Sequence, residues 1–130
     1  MRQTIYPAVR YADADAALAF LTAAFGARER AVYRDDQGAI HHREIAIEDS
    51  VIFIGQFREP PAPSAQAPAG QVPMSLYLVV VDPDAHHARA VGAGATVTRE
   101  LVDTDYGSRE YSLVDPEANG WSFGTYDPSR

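Results

Sequence analysis

IYPAVRYADADAALAF at residues 5–20 and MSLYLVVVDPDAHHARA at residues 74–90 are two versions of one pattern. Each begins with a β-branched and aromatic run, which predicts a strand, and then reaches an Asp-x-Asp sequence that can cap a helix. Small and apolar residues follow, until Gly26 ends the first helix and the Gly92 to Gly94 segment ends the second. Internal repetition of this kind indicates a chain built from two related units.

Three further strands follow each helix, separated by turn-forming clusters of Asp, Gly, Asn and Ser. The predicted strands cover residues 5–11, 29–34, 40–47, 51–57, 74–81, 96–101, 109–114 and 121–126, and the predicted helices cover 13–25 and 82–91. The order is therefore βαβββ in each half. One such module is too small to bury its own sheet face, so we predict an α+β fold in which two modules pack together.

A proline-rich stretch separates the two halves. REPPAPSAQAPAGQV at residues 58–72 contains four prolines, which remove backbone donors and fix φ. It is typical of a semi-rigid linker. We predict one domain over residues 1–130, made of module one at 1–57, the linker at 58–72 and module two at 73–130.

The composition excludes several classes of function. The 130 residues include 11 Lys and Arg against 18 Asp and Glu, which gives a net charge of −7. Nucleic acids and anionic membrane surfaces both require basic residues, so neither is an expected partner. The chain has no Cys, which excludes disulfides and thiolate chemistry. It shows neither a signal-peptide pattern nor a long apolar segment, so we expect a cytoplasmic protein.

The repeat resembles the vicinal oxygen chelate superfamily of glyoxalase I, extradiol dioxygenases and bleomycin-resistance proteins. The segments that carry it are VRYADADAALAF at 9–20, FGA at 25–27, VVDPDA at 80–85, AGA at 93–95, YGSR at 106–109 and DPEANGW at 115–121. The last departs from the family's D-P-x-G-N turn by having Ala118 in place of Gly. The chain looks closest to bleomycin-resistance-like and PhnB-like members. The resemblance implies that each module curves a four-stranded sheet around a cleft, usually in a homodimer.

Metal-dependent relatives place one ligand on the first and one on the last strand of each module. The corresponding positions are Tyr6, Phe53, Leu76 and Ser122. None is His or Glu, whereas a divalent cation needs several N or O ligands at about 2 Å. His41 and His42 point to opposite faces of a strand, and His86 and His87 lie about 100° apart on a helix, so neither pair chelates alone. We therefore predict no metal and no other cofactor, and we expect the helix histidines to be solvated.

Strand alternation predicts the face that lines the cleft. It places six residues there: Tyr6, Ala8, Phe53, Met74, Leu76 and Ser122. His42 and Glu44 share this face, because Ile45 and Ile47 alternate toward the helices. An apolar floor with a few polar groups is typical of a small-molecule site. His42 and Glu44 are interpreted either as a structural pair or as ligand contacts.

Three further residues complete the candidate ligand-binding set. Trp121 has the opposite parity, so it belongs either to the core or to the site. Tyr106 and Arg109 lie where a loop meets a strand, and they either rim the cleft or fix the loop by a hydrogen bond. We predict no catalytic residue, since no nucleophile motif, P-loop or dinucleotide fingerprint is present.

These features favour a homodimer that binds and sequesters a small natural product, resembling a bleomycin-resistance protein. The expected ligand is aromatic and either neutral or cationic. The alternative is a glyoxalase- or dioxygenase-like lyase or isomerase, using Glu44 with His42. A structural protein with a vestigial cleft is the third reading. Exposed sheet edges favour the dimer, because unpaired edges tend to be covered.

Overall fold

The computed structural model describes residues 3–56 and 75–129, so the linker at 58–72 lies outside the described residues. Its elements are β1 (Ala8–Tyr11), α1 (Ala14–Phe25), β2 (Arg28–Arg34), β3 (Ile40–Ile47), β4 (Ser50–Gln56), β5 (Ser75–Val79), α2 (Pro83–Gly92), β6 (Thr96–Asp103), β7 (Arg109–Val114) and β8 (Gly120–Gly124). They form two four-stranded sheets, in the orders β1-β4-β3-β2 and β5-β8-β7-β6. The α+β prediction of two βαβββ modules is confirmed. No helix in these two segments is long and apolar enough to cross a membrane.

Both helices begin at the predicted Asp residues. Asp13 and Asp82 each accept a hydrogen bond from the backbone N–H three residues further on, at 3.0 and 3.1 Å. Helix α1 ends at Gly26, which has a left-handed φ of 71°. Arg89 of α2 donates to the carbonyl oxygens of Ala23 and Thr22 at that end. A positive side chain at the negative end of a helix is favourable, so Arg89 stabilises α1 and ties the helices together.

A single hydrophobic core contains residues from both helices and both sheets. Phe25 of α1 contacts the rings of Trp121 and Phe123 in β8, with centroids 5.1 and 4.9 Å apart. Ile45 and Ile47 of β3 are fully buried in the same core, as their parity predicts. Each sheet therefore buries one face in the shared core. The other face of each sheet, its open face, points away from that core.

The DPEANGW segment joins the end of module two to the start of module one. Asp115 is 4% exposed and accepts hydrogen bonds from the Tyr11 hydroxyl at 2.6 Å and the Trp121 indole nitrogen at 3.1 Å. The carboxylate of Glu117 accepts from the backbone N–H groups of Ala12 and Asp13, at 2.7 and 2.9 Å. The turn that resembles a family signature thus has a structural role, because it fixes the junction between β1 and α1.

Several strand ends differ from the prediction. β1 begins at Ala8 instead of residue 5, because Pro7 has no N–H to donate; its carbonyl still accepts from Phe53 N at 2.8 Å. β6 extends to Asp103, with register shifts that let a longer strand stay paired. β8 ends at Gly124, two residues earlier than predicted. The predicted strand end at residue 57 and strand start at residue 74 lie outside the described residues.

The expectation that both helix histidines are solvated is wrong. The His86 ring packs against Phe123 with centroids 4.1 Å apart, and its Nδ1 lies 2.5 Å from the Tyr111 hydroxyl oxygen. His87 bonds to Glu100 at 3.0 Å and has a side chain that is 20% exposed. Helical periodicity identifies which residues share a face, but not how wide the buried face is. Here the ring of His86 fills a gap between α2 and the second sheet.

This burial predicts that stability depends on pH. Burial lowers the pKa of His86 from 6.5 to about 4, and the nearby charge of Arg89 acts in the same direction. As the pH falls from 6.5 toward about 4, the unfolded chain takes up a proton on this histidine that the folded protein does not. The free energy of unfolding therefore decreases. We expect a loss of about 1 kcal/mol between about pH 7 and pH 5, after allowance for solvent screening of a partly exposed ring.

Denaturant unfolding at the two pH values measures this loss, which His86→Gln should largely remove. His87→Gln is the matched control on the same helix and should keep it. An unchanged pH dependence in His86→Gln would contradict the assignment.

Candidate functional site

The open face of the first sheet carries a continuous group of aromatic rings. Tyr6 and Phe53 stack with centroids 5.4 Å apart, and His42 meets Phe53 edge-on at 4.7 Å. Tyr33 of β2 lies beside His42 at 5.6 Å, because the two residues are register partners. We call Tyr6, Tyr33, His42, Glu44 and Phe53 the first-sheet platform. The predicted cleft residues of module one are thus brought together, and Tyr33 is an addition that its alternation on β2 could have indicated.

His42 and Glu44 form a polar pair on this platform. His42 Nε2 lies 3.1 Å from Glu44 Oε2, and the two side chains are 33% and 24% exposed. The pair is therefore partly accessible beside the Phe53 ring. It can donate to or accept from a bound molecule, and the carboxylate adds negative charge to an otherwise aromatic surface.

The open face of the second sheet contains a groove with a volume of about 620 Å³. We call its main lining residues, Tyr77, Arg99, Tyr106, Glu110, Ser122 and Tyr126, the second-sheet groove. Three tyrosine rings and one serine surround a carboxylate and a guanidinium. Tyr106 and Ser122, both predicted as ligand-binding, lie in this groove.

Glu110 forms the floor of the groove, and no sequence pattern distinguishes it from the other acidic residues. It is 5% exposed, and its carboxylate accepts a hydrogen bond from the Tyr106 hydroxyl at 2.8 Å. That bond raises the pKa of Tyr106 above its ordinary value. Its register partner is Gly124, where a Cβ would lie 2.5 Å from Glu110 Cγ and 2.6 Å from the Tyr77 hydroxyl. Gly124 therefore provides the space in which the Glu110 side chain lies.

Leu76 lies among the residues that line the groove, but its side chain has the parity of the core face. It pairs in register with Trp121 and packs against the core, whereas Tyr77 pairs with Ser122. Tyr6 lies seven residues before the helix cap Asp13, whereas Leu76 lies six residues before the helix cap Asp82. Because side chains alternate, an odd and an even offset reach opposite faces. Tyr77, five residues before Asp82, has the parity of Ala8, five residues before Asp13. Met74, the other predicted floor residue of module two, lies outside the described residues.

Trp121 and Arg109 lie away from the open faces, which favours the core interpretation of Trp121 and the hydrogen-bonding interpretation of Arg109. Trp121 is 1% exposed within the core. Arg109 donates two hydrogen bonds to Asp84 of α2, at 2.9 and 3.0 Å, and one to Asp103 at 3.1 Å. These carboxylates raise the pKa of Arg109. Its side chain lies on the helix side of β7, where it holds the first turn of α2.

The residues at the family's metal positions do not fit a metal ion. Phe53 has no donor atom, and Leu76 has none and faces the core. The hydroxyls of Tyr6 and Ser122 are engaged with the Gln3 carbonyl and the Ser112 hydroxyl, at 3.1 and 2.7 Å. Within residues 3–56 and 75–129, no group of three or more His, Cys, Asp and Glu residues could hold a metal.

The chain consists of two paired βαβββ modules, and each module has an open sheet face that carries aromatic and polar side chains. This arrangement identifies a class of α+β proteins. The Glyoxalase/Bleomycin resistance protein/Dioxygenase superfamily profile matches residues 5–123. The chain therefore belongs to this superfamily, and the sequence-based resemblance is confirmed.

The chain is also similar to individual proteins and solved structures. The uncharacterized protein Rv0887c of Mycobacterium tuberculosis is 30% identical over 115 residues, which cover 86% of this chain and 68% of that protein. The structure of TioX from Micromonospora sp. ML1 has 26% identity and a TM-score of 0.74, covering 94% of both chains. The fosfomycin resistance protein FosX from Mesorhizobium loti shares the fold, with 15% identity, a TM-score of 0.65, and coverage of 99% of this chain and 96% of that one.

Proposed function

We propose that this protein binds an aromatic small molecule, neutral or cationic, and releases it unchanged. The observation that carries the proposal is the pair of open faces on which exposed rings surround a few polar groups. Tyr6 and Tyr33 are 42% and 53% exposed on one face, and Tyr106 and Tyr126 are 57% and 50% exposed on the other. Exposed aromatic clusters of this kind mark binding surfaces. Membership of a superfamily that includes bleomycin-resistance proteins supports sequestration of a natural product.

The complete site requires two copies of the chain in this proposal. Both sheets bury one face in a single core, so the platform and the groove of one protomer point away from that core. A cleft that uses both would form between the first-sheet platform of one protomer and the second-sheet groove of its partner. The resulting homodimer would also cover the exposed rings, which a monomer leaves in water.

Ring stacking would supply specificity in such a cleft. Phe53 is held between Tyr6 and His42, so its ring is already oriented when a ligand arrives. Aromatic pairs add about 0.5–1.5 kcal/mol beyond burial of their area. The net charge of −7 would assist the approach of a cation, more at low salt than at high salt.

We expect calorimetric titration against glycopeptide, enediyne and intercalating natural products to identify a ligand with micromolar or tighter affinity. Mass spectrometry should then recover that compound unchanged after prolonged incubation, because aromatic stacking and a counter-charge bind a ligand without breaking its bonds. Light scattering at tens of micromolar should give the mass of a dimer. Recovery of an altered compound with repeated turnover would contradict sequestration, and a monomer mass would contradict the shared cleft.

A lyase or isomerase is the second candidate, and the pair of His42 and Glu44 favours it. A carboxylate 3.1 Å from an imidazole nitrogen can orient the ring as a general base. Turnover that His42→Gln and Glu44→Gln each slow by about tenfold or more would identify this activity.

A further inference from the structure

The rings of the second-sheet groove enclose the carboxylate of Glu110. Tyr77, Tyr106 and Tyr126 are 40%, 57% and 50% exposed, whereas Glu110 is 5% exposed beneath them. The Tyr106 and Tyr126 rings meet edge to face with centroids 5.8 Å apart, and the Tyr77 hydroxyl donates to the Tyr126 carbonyl at 3.0 Å. The three side chains are thus held in place around an opening that has a negative group at its base.

Three tyrosine rings around a buried carboxylate favour the binding of a weakly hydrated cation. The electron-rich faces of tyrosine rings attract cations, most strongly where water is excluded, and a buried carboxylate adds a full negative charge. A primary ammonium needs acceptors for three N–H groups. Glu110 Oε1 already accepts from Tyr106 at 2.8 Å and faces Arg99 Nη1 at 3.5 Å. A methylated ammonium, which needs few or no acceptors, is therefore the better match.

Arg99 is a cation that already lies at the groove. Its position would make it compete with a cationic ligand for Glu110. Its contact with Glu110 is long, at 3.5 Å, and its side chain is 48% exposed. An ion pair of this kind contributes little in water. Its charge would nevertheless oppose a second cation nearby. Removing Glu110 and removing Arg99 should therefore change cation affinity in opposite directions.

We propose that the second-sheet groove is a subsite for a methylated ammonium group, with Glu110 as its counter-ion and Tyr77, Tyr106 and Tyr126 as its aromatic wall. This inference rests on the proposed small-molecule function and adds the chemical class of one ligand group. It predicts that natural ligands carry a tertiary or quaternary amine that reaches Glu110 when the rest of the molecule lies in the cleft.

The test uses choline and its uncharged analogue 3,3-dimethylbutan-1-ol, titrated into the full-length protein and followed by the amide resonances of Ser122 and Gly124. We expect choline to bind in the millimolar range and about tenfold more tightly than the analogue. Glu110→Gln should weaken choline binding about tenfold, Tyr126→Leu should weaken it severalfold, and Arg99→Gln should strengthen it. Glu100→Gln is the matched control, because Glu100 pairs with His87 outside the groove, and it should leave the affinity unchanged.

Equal affinity for the two probes, or weaker choline binding in Arg99→Gln, would overturn the ammonium subsite. Because Tyr126 is half exposed, its variant tests the proposal even where Glu110→Gln fails to fold. A natural product that binds through Phe53 but ignores Glu110 would overturn the subsite and leave the proposed function intact. Choline binding that depends on Glu110, together with chemical turnover of larger ligands, would support the subsite and contradict sequestration.

Discussion

Replacing Asp115 by Ala should lower the free energy of unfolding by about 4 kcal/mol, the largest effect on stability that we expect from a single substitution. The carboxylate accepts from the Tyr11 hydroxyl, the Trp121 indole, and the backbone N–H groups of Glu117 and Asn119. Removing it leaves buried donors without a partner, at about 1–3 kcal/mol each for the most buried. Tyr11 and Trp121 are among the most buried side chains, so water cannot replace the lost acceptor without opening the core.

Chemical denaturation followed by tryptophan fluorescence measures this effect directly, because Trp121 is the single tryptophan in the chain. Asp105→Ala is the matched control: Asp105 is exposed, and its loss should change stability by about 0.5 kcal/mol or less. Asp115→Asn keeps one acceptor oxygen. Its loss of stability should lie between those of Asp115→Ala and Asp105→Ala. A loss below about 1 kcal/mol for Asp115→Ala would show that the turn does not fix the junction.

The elements of this fold could be predicted from local signals alone. Asp13 and Asp82 mark the helix starts because an Asp side chain caps free N–H groups wherever a helix begins, whatever surrounds it. Gly26 marks a helix end because its left-handed φ of 71° is unfavourable for other residues. Ala118 has a similar φ of 69° in the turn where the family usually has Gly, so the neighbouring Asp115 bonds hold it there. Such rules involve only a few neighbouring residues, so they can be applied to the sequence without knowledge of the three-dimensional structure.

The site was harder to predict, because it depends on register and on packing between modules. The parity of β3 was correct, since Ile45 and Ile47 identify the buried face. In β5 every residue from Leu76 to Val79 is apolar or aromatic, so composition does not indicate which face is open. The importance of Glu110 arises from Gly124 on the neighbouring strand, and that pairing is not visible in either segment. The separation of platform and groove follows from the shared core, which is a property of the whole fold.

Single substitutions on either open face should weaken ligand binding, and mixing two different variants should restore it. Phe53→Ala removes a ring from the platform and Tyr106→Ala removes one from the groove. Each should weaken binding about tenfold, and both in the same chain about a hundredfold. If one cleft takes its platform from one protomer and its groove from the partner, a mixed dimer has one cleft with both changes and one with neither. About a quarter of all clefts in an equal mixture should then have wild-type affinity, given random exchange.

Titration of the mixture should thus show a tight phase that neither variant shows by itself. Native mass spectrometry of the same sample establishes that mixed dimers are present. The double variant, which cannot regain an intact cleft by exchange with itself, is the control for concentration and handling. Mixed dimers without a tight phase would mean that each protomer binds its ligand on its own two faces. The arrangement of both sheets around one core argues against that outcome, because it directs the Phe53 and Tyr106 rings away from a common centre.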